Sequence, residues 1–588
     1  MIKKLCAYVG EYKNMTILTP VLVMLEVIMD IAIPLLMAQL IDQGIENGDM
    51  GQITKYGMIL LSAAFLALAF GALAGKTAAI ASAGFASNLR QAMYYRVQGF
   101  SFSNIDHFST ASIVTRLTTD VTNVQMAFQM LTRMAVRSPG MLVFSLVAAF
   151  RIDAKMSLIF FGVIPILGLG LFIIMTSVHP IFDRVFKNYD KLNNVVQENL
   201  YGVRVVKSFN RQKYETEKFQ QMSGGIYQDF VKAEKMLALN APLMQFCMYA
   251  CTLLIAWLGA KAVIASGNDA AIGLSTGELL SLITYVMQIL MSLMMLSMVF
   301  VMLTLARASG ERIVEILNEE SDIHNPENPV YEVKDGSVTF DHVNFAYGRG
   351  KGKGRNALDD ICLEIKSGET VGILGGTGSS KSTLVQMIPR LYDVAEGAVR
   401  VGGVDVRDYD LDALRKEVAM VLQKNVLFSG TIKENLRWGD EHATDEELVR
   451  VCKLACADEF ISKMEHGYDT HIEQGGSNVS GGQRQRLCIA RALIAKPKIL
   501  ILDDSTSAVD MKTDAMIRKA FAEEIPETTK IIIAQRVASV QDADKIIIID
   551  EGKIVDVGTH EELLKVSQIY REVYESQNKT GLGEGGEA

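Results

Sequence analysis

The sequence predicts a helical membrane region followed by an α/β domain. Long apolar blocks fill the first part of the chain, and after about residue 320 short β-branched runs alternate with amphipathic helices. A mean hydropathy of +0.21 with only 21% charged residues is high for 588 residues, which indicates membrane segments. A chain of this length exceeds what one hydrophobic core organises, so at least two domains are expected.

The charge balance argues against a nucleic-acid partner, and the cysteines argue against a zinc site or a disulfide framework. Lys and Arg number 58 against 67 Asp and Glu, a formal net charge of -9. This balance leaves no basic footprint, so no nucleic-acid partner is expected. The seven cysteines are scattered without a paired CxxC spacing, which predicts reduced thiols and neither a zinc site nor a disulfide framework. Cys452 and Cys456 share a helix face and are interpreted as packing residues.

Six membrane-spanning helices are predicted. A hydrocarbon core of about 30 Å needs about 20 apolar residues in a helix. The first apolar stretch, 16–41, is long enough and is too long for a signal peptide. The third stretch is short, and we extend it back through Met126 and Met130. The predicted spans are 16–41, 57–83, 139–150, 157–178, 242–265 and 277–305.

Basic residues set the predicted orientation. The segment between spans four and five is rich in them, whereas the segment between spans one and two is acidic, so both chain ends are expected in the cytoplasm. The polar stretches 85–125 and 184–236 contain few helix breakers, which predicts long helical extensions beyond the bilayer. The basic residues concerned are Arg204, Lys207, Arg211, Lys213, Lys218, Lys232 and Lys235.

Two features of the spans are candidate substrate contacts. Glu26 and Asp30 share a face of the first span, and carboxylates at membrane depth are costly unless they face a cavity or a partner. Pairing with Lys76, Arg133 or Arg137 is the alternative. The last span carries a stripe of flexible thioethers, suited either to a promiscuous apolar surface or to plain helix packing. Its members are Met287, Met291, Met294, Met295, Met298 and Met302, of which Met291, Met295 and Met298 are the substrate candidates.

The second half of the chain predicts an α/β domain over 336–575. It follows a membrane domain over 1–320 and an acidic, proline-marked linker over 321–335. Strands alternating with helices predict this class of core. The Gly- and Glu-rich tail, 576–588, is expected to be disordered.

A phosphate-binding loop follows the predicted strand 370–374. Glycines let backbone N–H groups wrap phosphates, Lys381 suits the β- and γ-phosphates, and the Ser382 hydroxyl suits Mg²⁺. Ser380 departs from the pattern, which has glycine before the lysine. Asp503 ends a later apolar strand and is expected to hold Mg²⁺ through water. The loop consists of Gly375, Gly376, Thr377, Gly378, Ser379, Ser380, Lys381, Ser382 and Thr383.

Residues 479–486 (VSGGQRQR) resemble the signature motif of ATP-binding cassette (ABC) proteins. Tyr347 is similar to the aromatic residue that stacks on adenine, Gln423 to the Q-loop glutamine, which would reach Mg²⁺, and 507–510 to the D-loop, ending at Asp510. Residues 99–120 and 198–210 resemble the cytoplasmic coupling regions of ABC exporters. The resemblance implies ATP and Mg²⁺ as cofactors and a dimer of half-transporters. In such a dimer the signature residues Ser480, Gly481, Gly482 and Gln483 cap the nucleotide held by the opposite chain.

Two departures from the family pattern lie where ATP is hydrolysed. Asp504 stands where the family usually has a glutamate general base, and Gln535 stands at the switch position that is usually histidine. A shorter carboxylate and a neutral amide predict a site that binds ATP and turns it over very slowly. This chain is therefore expected to supply the degenerate P-loop of a heterodimer, and its signature to complete the competent site on the partner.

The resulting prediction is an ATP-driven exporter of small amphipathic, drug-like or lipid-like molecules across the plasma membrane of a bacterial cell. Three alternatives stay open. They are a homodimeric drug or lipid flippase, an ATP-gated channel, and an importer built on the exporter fold.

Overall fold

The computed structural model describes residues 1–268, 273–348, 356–505 and 507–581. These residues form two compact units. The first comprises Met1–Gln98 and Thr110–Glu319, and the second comprises Gly99–Ser109 and the chain from Glu320 onward.

The segment 99–109, predicted within the membrane domain 1–320, belongs to the second unit. Its contacts explain this placement. Tyr392 donates a hydrogen bond to Asp106 at 2.7 Å, and Ser103 donates one to Asp322 at 2.5 Å. Phe102 also meets the ring of Tyr392 edge-on.

The first unit is entirely helical in its described residues, apart from short turns. A π-helical segment at Leu40–Ile45 continues the helix Lys13–Gln39, and a second one at Arg116–Asp120 leads into the helix Val121–Ile152. The α-helices of the chain up to residue 318, including the segment in the second unit, are α1 Ile2–Ala7, α2 Lys13–Gln39, α3 Met50–Gln98, α4 Phe102–His107, α5 Thr110–Thr115, α6 Val121–Ile152, α7 Ala154–Tyr201, α8 Val203–Ser208, α9 Gln212–Leu237, α10 Asn240–Ser266 and α11 Thr276–Asn318.

The predicted six spans are confirmed as six helical segments long and apolar enough to cross a membrane, among the described residues. The third, short in the sequence prediction, runs over Thr110–Ile152. The predicted extensions are also present, since α3 and α7 continue well beyond a bilayer's thickness. The six segments are Gly10–Ile45, Met50–Gln98, Thr110–Ile152, Ala154–Tyr201, Gln212–Ser266 and Thr276–Asn318.

Small side chains allow α2 and α3 to pack closely. Ala74, Ala78 and Ala81 of α3 are fully buried, and residues four apart share one helix face. Small residues let helix backbones approach each other where lipid supplies no hydrophobic drive for association. Thr19 of α2 donates to the Thr77 hydroxyl of α3 at 2.9 Å, so a polar contact supports the same interface.

Polar side chains of α11 satisfy the backbone of α2 around its proline. Pro34 has no N–H, so the carbonyl of Asp30, four residues earlier, lacks its helical donor. The Gln288 side chain donates to that carbonyl at 3.3 Å, and its own oxygen accepts from Ser145 of α6 at 3.1 Å. Tyr285 donates to the carbonyl of Ile31 at 2.8 Å. These bonds tie α2, α6 and α11 together where lipid offers no substitute.

The second unit has the predicted α/β composition. Its strands are β1 Val338–Phe345, β2 Leu358–Ile365, β3 Thr370–Leu374, β4 Glu396–Val401, β5 Val404–Asp405, β6 Val418–Val421, β7 Gly430–Thr431, β8 His471–Ile472, β9 Ile499–Asp503, β10 Thr529–Ile533, β11 Lys545–Asp550 and β12 Lys553–Gly558. Its further helices are α12 Lys381–Gln386, α13 Leu411–Glu417, α14 Ile432–Leu436, α15 Asp445–Leu454, α16 Asp458–Ile461, α17 Gly481–Ile494, α18 Met511–Glu524, α19 His560–Val566 and α20 Gln568–Gly581.

The strands form two main sheets. The six-stranded sheet has the order β12-β11-β3-β10-β9-β6 and is parallel except at β12. Strands β9 and β10 are buried along their whole length, as the isoleucine-rich runs of a parallel sheet require. The second sheet is antiparallel with the order β2-β1-β4-β5. A third, two-stranded sheet joins β7 and β8.

The predicted linker and the first residues of the predicted tail lie in the described part of the chain. The linker 321–335 is bonded to the chain that follows β5. The N–H of Val330 donates to the carbonyl of Asp408, and its carbonyl accepts from the N–H of Asp410. Helix α20 continues to Gly581 and so includes the first residues of the tail, 576–588, whose disorder stays a prediction. Gln577 anchors this helix through hydrogen bonds described below. Residues 582–588 lie outside the described part of the chain.

Replacement of Gln288 by leucine is expected to destabilise the first unit. The change removes the donor to the Asp30 carbonyl and the acceptor for Ser145 at nearly constant volume. Interhelical hydrogen bonds in membranes contribute about 0.6 kcal/mol on average and up to about 1.7, so two lost bonds should lower the free energy of unfolding by about 1 kcal/mol. Thermal unfolding of the detergent-solubilised chain measures this loss. Met287→Leu, at the exposed neighbouring position, is the control. Equal melting temperatures for the two variants would contradict the assignment.

Candidate functional site

A cavity of about 580 Å³ opens in the second unit where β3 and β9 end. The structure brings most of the predicted nucleotide-binding residues to its lining. These are Tyr347, Gly375, Gly376, Thr377, Gly378, Ser380, Lys381, Ser382, Thr383, Gln423, Asp503, Asp504 and Gln535. Ser379 is buried behind the loop.

The loop after β3 has a conformation that its sequence only partly favours. A Cβ at Gly375 would lie 2.1 Å from the carbonyl oxygen of Ile549, so only glycine fits. Gly378 has a φ of +83°, a region open to glycine at little cost. Ser380 has a φ of +74°, where a side chain costs about 1–2 kcal/mol. The departure seen in the sequence therefore falls on a strained residue.

Lys381 lies over the loop with its ammonium group held by the backbone. Its Nζ donates to the carbonyls of Gly375 at 2.9 Å and Gly376 at 2.7 Å. Burial lowers the pKa of Lys381, while the nearby carboxylates of Asp503 and Asp504 oppose that effect. The Lys381 ammonium group can exchange these two carbonyl acceptors for the phosphate oxygens of a bound nucleotide.

Ser382 and Asp503 form the pair suited to a hard cation. The Ser382 hydroxyl donates to Oδ1 of Asp503 at 3.0 Å. Burial raises the pKa of Asp503, and the hydrogen bond from Ser382 opposes it. Hydroxyl and carboxylate oxygens are the donors that Mg²⁺ takes beside phosphates and water, so these two residues fit the ion that the motif predicts.

Asp504 and Gln535 contact each other directly. Gln535 donates its amide to Oδ2 of Asp504 at 2.8 Å. Burial raises the pKa of Asp504, and hydrogen bonds from Gln423 and Gln535 oppose it. Asp504 also has a φ of +49°, and its backbone N–H donates to the Ile533 carbonyl at 3.0 Å. The Asp504 carboxylate is thus bonded by the neutral amide of Gln535.

The last helix takes part in the site, which no sequence motif indicated. Ile569, Tyr570 and Val573 of α20 line the cavity. Gln577 donates to the Gln535 carbonyl and accepts from the Val537 N–H, both at 2.9 Å. The sequence of α20 contains no nucleotide-binding motif, so only the tertiary fold reveals its place in the cavity lining.

Tyr347 also lines the cavity. Its ring is 48% exposed, and its hydroxyl is 2.9 Å from that of Thr383. Burial raises the pKa of Tyr347. A partly open ring beside the loop suits stacking on a planar base.

The signature residues lie apart from this cavity at the start of α17. Ser480 caps the helix and exchanges hydrogen bonds with Gln483, with the Gln483 N–H bonding the Ser480 hydroxyl at 3.3 Å and the Ser480 N–H bonding Gln483 Oε1 at 2.9 Å. Gly482 is required by packing, because a Cβ there would lie 2.8 Å from the Ala508 carbonyl oxygen. Asp510 does not line the cavity either. It caps α18 through the Thr513 N–H at 3.0 Å.

The two candidate substrate features of the first unit have different surroundings. Arg137 pairs with both acids, bonding Glu26 and, at 2.8 Å, Asp30. Of the three bases considered from the sequence, Arg137 is therefore the partner. Met291, Met295 and Met298 are exposed in the single chain, so they do not pack into its own core.

Comparisons with known proteins agree with this architecture. The model of the ABC transporter transmembrane region matches residues 16–294, and the ABC transporter model matches residues 358–507. The uncharacterized ABC transporter ATP-binding protein YfiB of Bacillus subtilis is 35% identical over 98% of both chains. A second uncharacterized ABC transporter ATP-binding protein, MT1311 of Mycobacterium tuberculosis, is 34% identical over 97% of both.

A relative with a named activity is also similar over most of its length. The ATP-dependent lipid A-core flippase of Desulfotalea psychrophila is 31% identical over 83% of this chain and 84% of its own. Together these matches confirm the predicted transport ATPase and the predicted order of a helical transmembrane region and a nucleotide-binding domain. The chain therefore belongs to the ABC transporter family, as an exporter-type half-transporter with one transmembrane region and one ATP-binding domain.

Proposed function

We propose that this chain is one half of a heterodimeric exporter and supplies its degenerate ATP site. The dimer would move small amphipathic molecules across the bacterial plasma membrane, with both chain ends of this subunit in the cytoplasm. The single observation that carries the proposal is the hydrogen bond from Gln535 to Asp504.

That hydrogen bond bears on the chemistry of hydrolysis. A general base must offer a free lone pair to the attacking water within hydrogen-bond reach. The Asp504 carboxylate is one methylene shorter than the glutamate common in the family, and the Gln535 amide occupies one of its oxygens. Gln535 itself is neutral at every physiological pH and has no ionisable proton to share. Both features favour retention of ATP over turnover.

The binding groups of the same site are intact. Lys381 would give up its backbone partners for the β- and γ-phosphates, and Ser382 with Asp503 would hold Mg²⁺, to which Gln423 would also reach. Bound Mg²⁺ supplies a Lewis acid at the phosphate oxygens. Tyr347 would stack on the adenine, and Asp510 would approach the nucleotide of the dimer through the D-loop.

The signature supports a role on the partner. Ser480 and Gly481 are exposed at the N-terminal end of α17, outside this chain's own cavity. In the head-to-tail arrangement that the family implies, Ser480, Gly481, Gly482 and Gln483 would complete the partner's site, where the family's glutamate and histidine would perform hydrolysis.

Substrate contacts are proposed on the first unit. Met291, Met295 and Met298 offer an exposed thioether surface suited to varied apolar groups. Glu26 and Asp30 share Arg137 as their ion-pair partner, and two carboxyl groups beside one guanidinium favour amphipathic molecules bearing a cation.

A homodimeric lipid flippase is the second candidate. It is favoured by the similarity to the lipid A-core flippase of Desulfotalea psychrophila. In a homodimer Asp504 would have to support hydrolysis at both sites.

The subunit composition separates the two candidates. We expect this chain, tagged in its own cells and extracted gently, to copurify with an equimolar second half-transporter that carries glutamate and histidine at the two positions. Mass measurement of the intact complex gives the composition. Recovery of a complex containing this chain alone would rule out the heterodimer.

Mutations in this chain's own ATP site and in its signature motif are expected to have unequal effects. In the assembled complex, Asp504→Asn should change the ATPase rate by less than about threefold, whereas loss of a working general base costs about 10²- to 10⁴-fold. Gly481→Asp should abolish ATPase, because it places a carboxylate against the partner's nucleotide while the helix N-terminus tolerates the charge. Gly481→Asn is the uncharged control of equal size. Loss of ATPase in Asp504→Asn would overturn the degenerate-site assignment.

Ser380→Gly is expected to stabilise the nucleotide domain. Glycine relieves a left-handed strain of about 1–2 kcal/mol but adds backbone entropy to the unfolded state worth about 0.5–1 kcal/mol, so the net gain should be up to about 1.5 kcal/mol. Thermal unfolding without nucleotide measures it. Ser380→Ala keeps the strain and removes the hydroxyl, so it should not stabilise. If both variants lose stability equally, side-chain contacts and not the backbone conformation decide the residue at this position.

A further inference from the structure

Three side chains with different donor atoms meet on the outer face of the antiparallel sheet. His342 of β1 and Asp360 and Cys362 of β2 place one nitrogen, one oxygen and one sulfur all within 4.8 Å of one another. Nδ1 of His342 is 2.7 Å from Oδ1 of Asp360, and Sγ of Cys362 is 3.4 Å from the same Nδ1. None of them lines the nucleotide cavity.

The strand pairing explains why they meet. Phe340 pairs with Leu363 and Val343 with Ile361, and the register shifts between these two pairs. These four residues are buried, so the alternate positions project to solvent. This shift is a β-bulge, in which Asp341 and His342 together lie opposite the single residue Cys362. The bulge brings the His342 side chain toward the partner strand.

Two of the three donors stand on residues with an uncommon backbone. His342 has a φ of +47° and Asp360 a φ of +50°. The left-handed region costs a residue with a side chain about 1–2 kcal/mol. The N–H of Asp360 donates to Asn344 at 2.8 Å, which helps to hold this conformation. The backbone conformation therefore fixes the positions of the Cα and Cβ atoms from which the His342 and Asp360 side chains extend.

We propose that His342, Asp360 and Cys362 bind one divalent transition-metal ion of the Zn²⁺ class. Zn²⁺ takes thiolate, imidazole and carboxylate ligands, and this combination is unsuited to Mg²⁺ or Ca²⁺, which prefer oxygen. A tetrahedral site with bonds of about 2.0–2.3 Å separates its donor atoms by about 3.3–3.7 Å. The sulfur and nitrogen already have this spacing, and the nitrogen and oxygen must separate by less than 1 Å.

The proposed site has one protein ligand fewer than a four-coordinate structural zinc site. Three protein ligands leave one position for water or a ligand from elsewhere. All three side chains are exposed, so they can adjust without repacking the sheet. Metal bound here would join β1 to β2 a few residues before Tyr347. The proposal is independent of the transport direction and of the dimer partner.

Cobalt substitution tests the proposal on the full-length chain. The protein is purified in detergent without a polyhistidine tag, treated with chelator and a phosphine reductant, and titrated with Co²⁺ alone. We expect one Co²⁺ per chain, with the near-ultraviolet charge-transfer band of a cobalt–thiolate bond, and its loss when Zn²⁺ is added. The melting temperature should rise with Zn²⁺.

Matched variants locate the ligands. Cys362→Ser should abolish the charge-transfer band, whereas Cys6→Ser, which removes the other exposed cysteine, should retain it. His342→Asn and Asp360→Asn keep a residue that tolerates positive φ, and each should weaken Zn²⁺ binding by at least tenfold. His466→Ala, at an exposed histidine elsewhere, should leave the affinity unchanged.

Two results would overturn the proposal. One is the absence of a charge-transfer band in the reduced wild-type chain at millimolar Co²⁺. The other is a band that persists in Cys362→Ser, which would place the thiolate elsewhere. Because the variants change only exposed side chains, an unchanged metal-free melting temperature shows that any loss of binding is not a loss of fold.

Discussion

The parallel pairing of β10 with β3 on one side and β9 on the other is the constraint on which the ATP site depends. Ile533 is in register with Ile373 and with Asp503, so three strands from distant parts of the chain end at one level. The loop with Lys381, the acidic pair after β9 and Gln535 after β10 therefore converge at the carboxyl edge of the sheet, where α/β folds place their ligands. A shift of one residue in either pairing would separate Ser382 from Asp503.

The same edge explains how the site combines intact binding groups with an altered hydrolytic pair. Lys381 and Ser382 begin α12 after the loop that follows β3, and Asp503 ends β9. Their hydrogen bonds, from Lys381 to Gly375 and from Ser382 to Asp503, have ordinary lengths. Asp504 directly follows β9, Gln535 lies two residues after β10, and the two side chains bond to each other. A histidine at 535 could titrate near neutral pH, whereas glutamine presents a fixed donor to the carboxylate. The degenerate site that we propose depends on this contact between the Asp504 carboxylate and the Gln535 amide.

Sequence reasoning reached the parts of this molecule that depend on local pattern. The six spans follow from apolar length, and the phosphate loop follows from glycine, lysine and serine at fixed spacing. Contacts between distant segments were beyond it. Three findings depend on helix rotation or on packing between distant segments. They are the pairing of Arg137 with the two acids, the capping of α18 by Asp510, and the place of 99–109 in the second unit. The cysteine spacing also could not indicate the cluster of His342, Asp360 and Cys362, because a cluster drawn from two paired strands has no linear signature.

The cavity lining runs from Tyr347 to Val573, with α20 contributing its last wall. This has a consequence for biosynthesis. A ribosome adds residues at about 5–20 per second, and domains tend to fold as their segments emerge. The membrane helices are all made before β1, yet the nucleotide cavity cannot close until α20 has left the ribosome and Gln577 has met the loop after β10. The membrane helices are therefore synthesised while the nucleotide domain is still an incomplete chain, and the cavity gains its full lining only after α20 has been made.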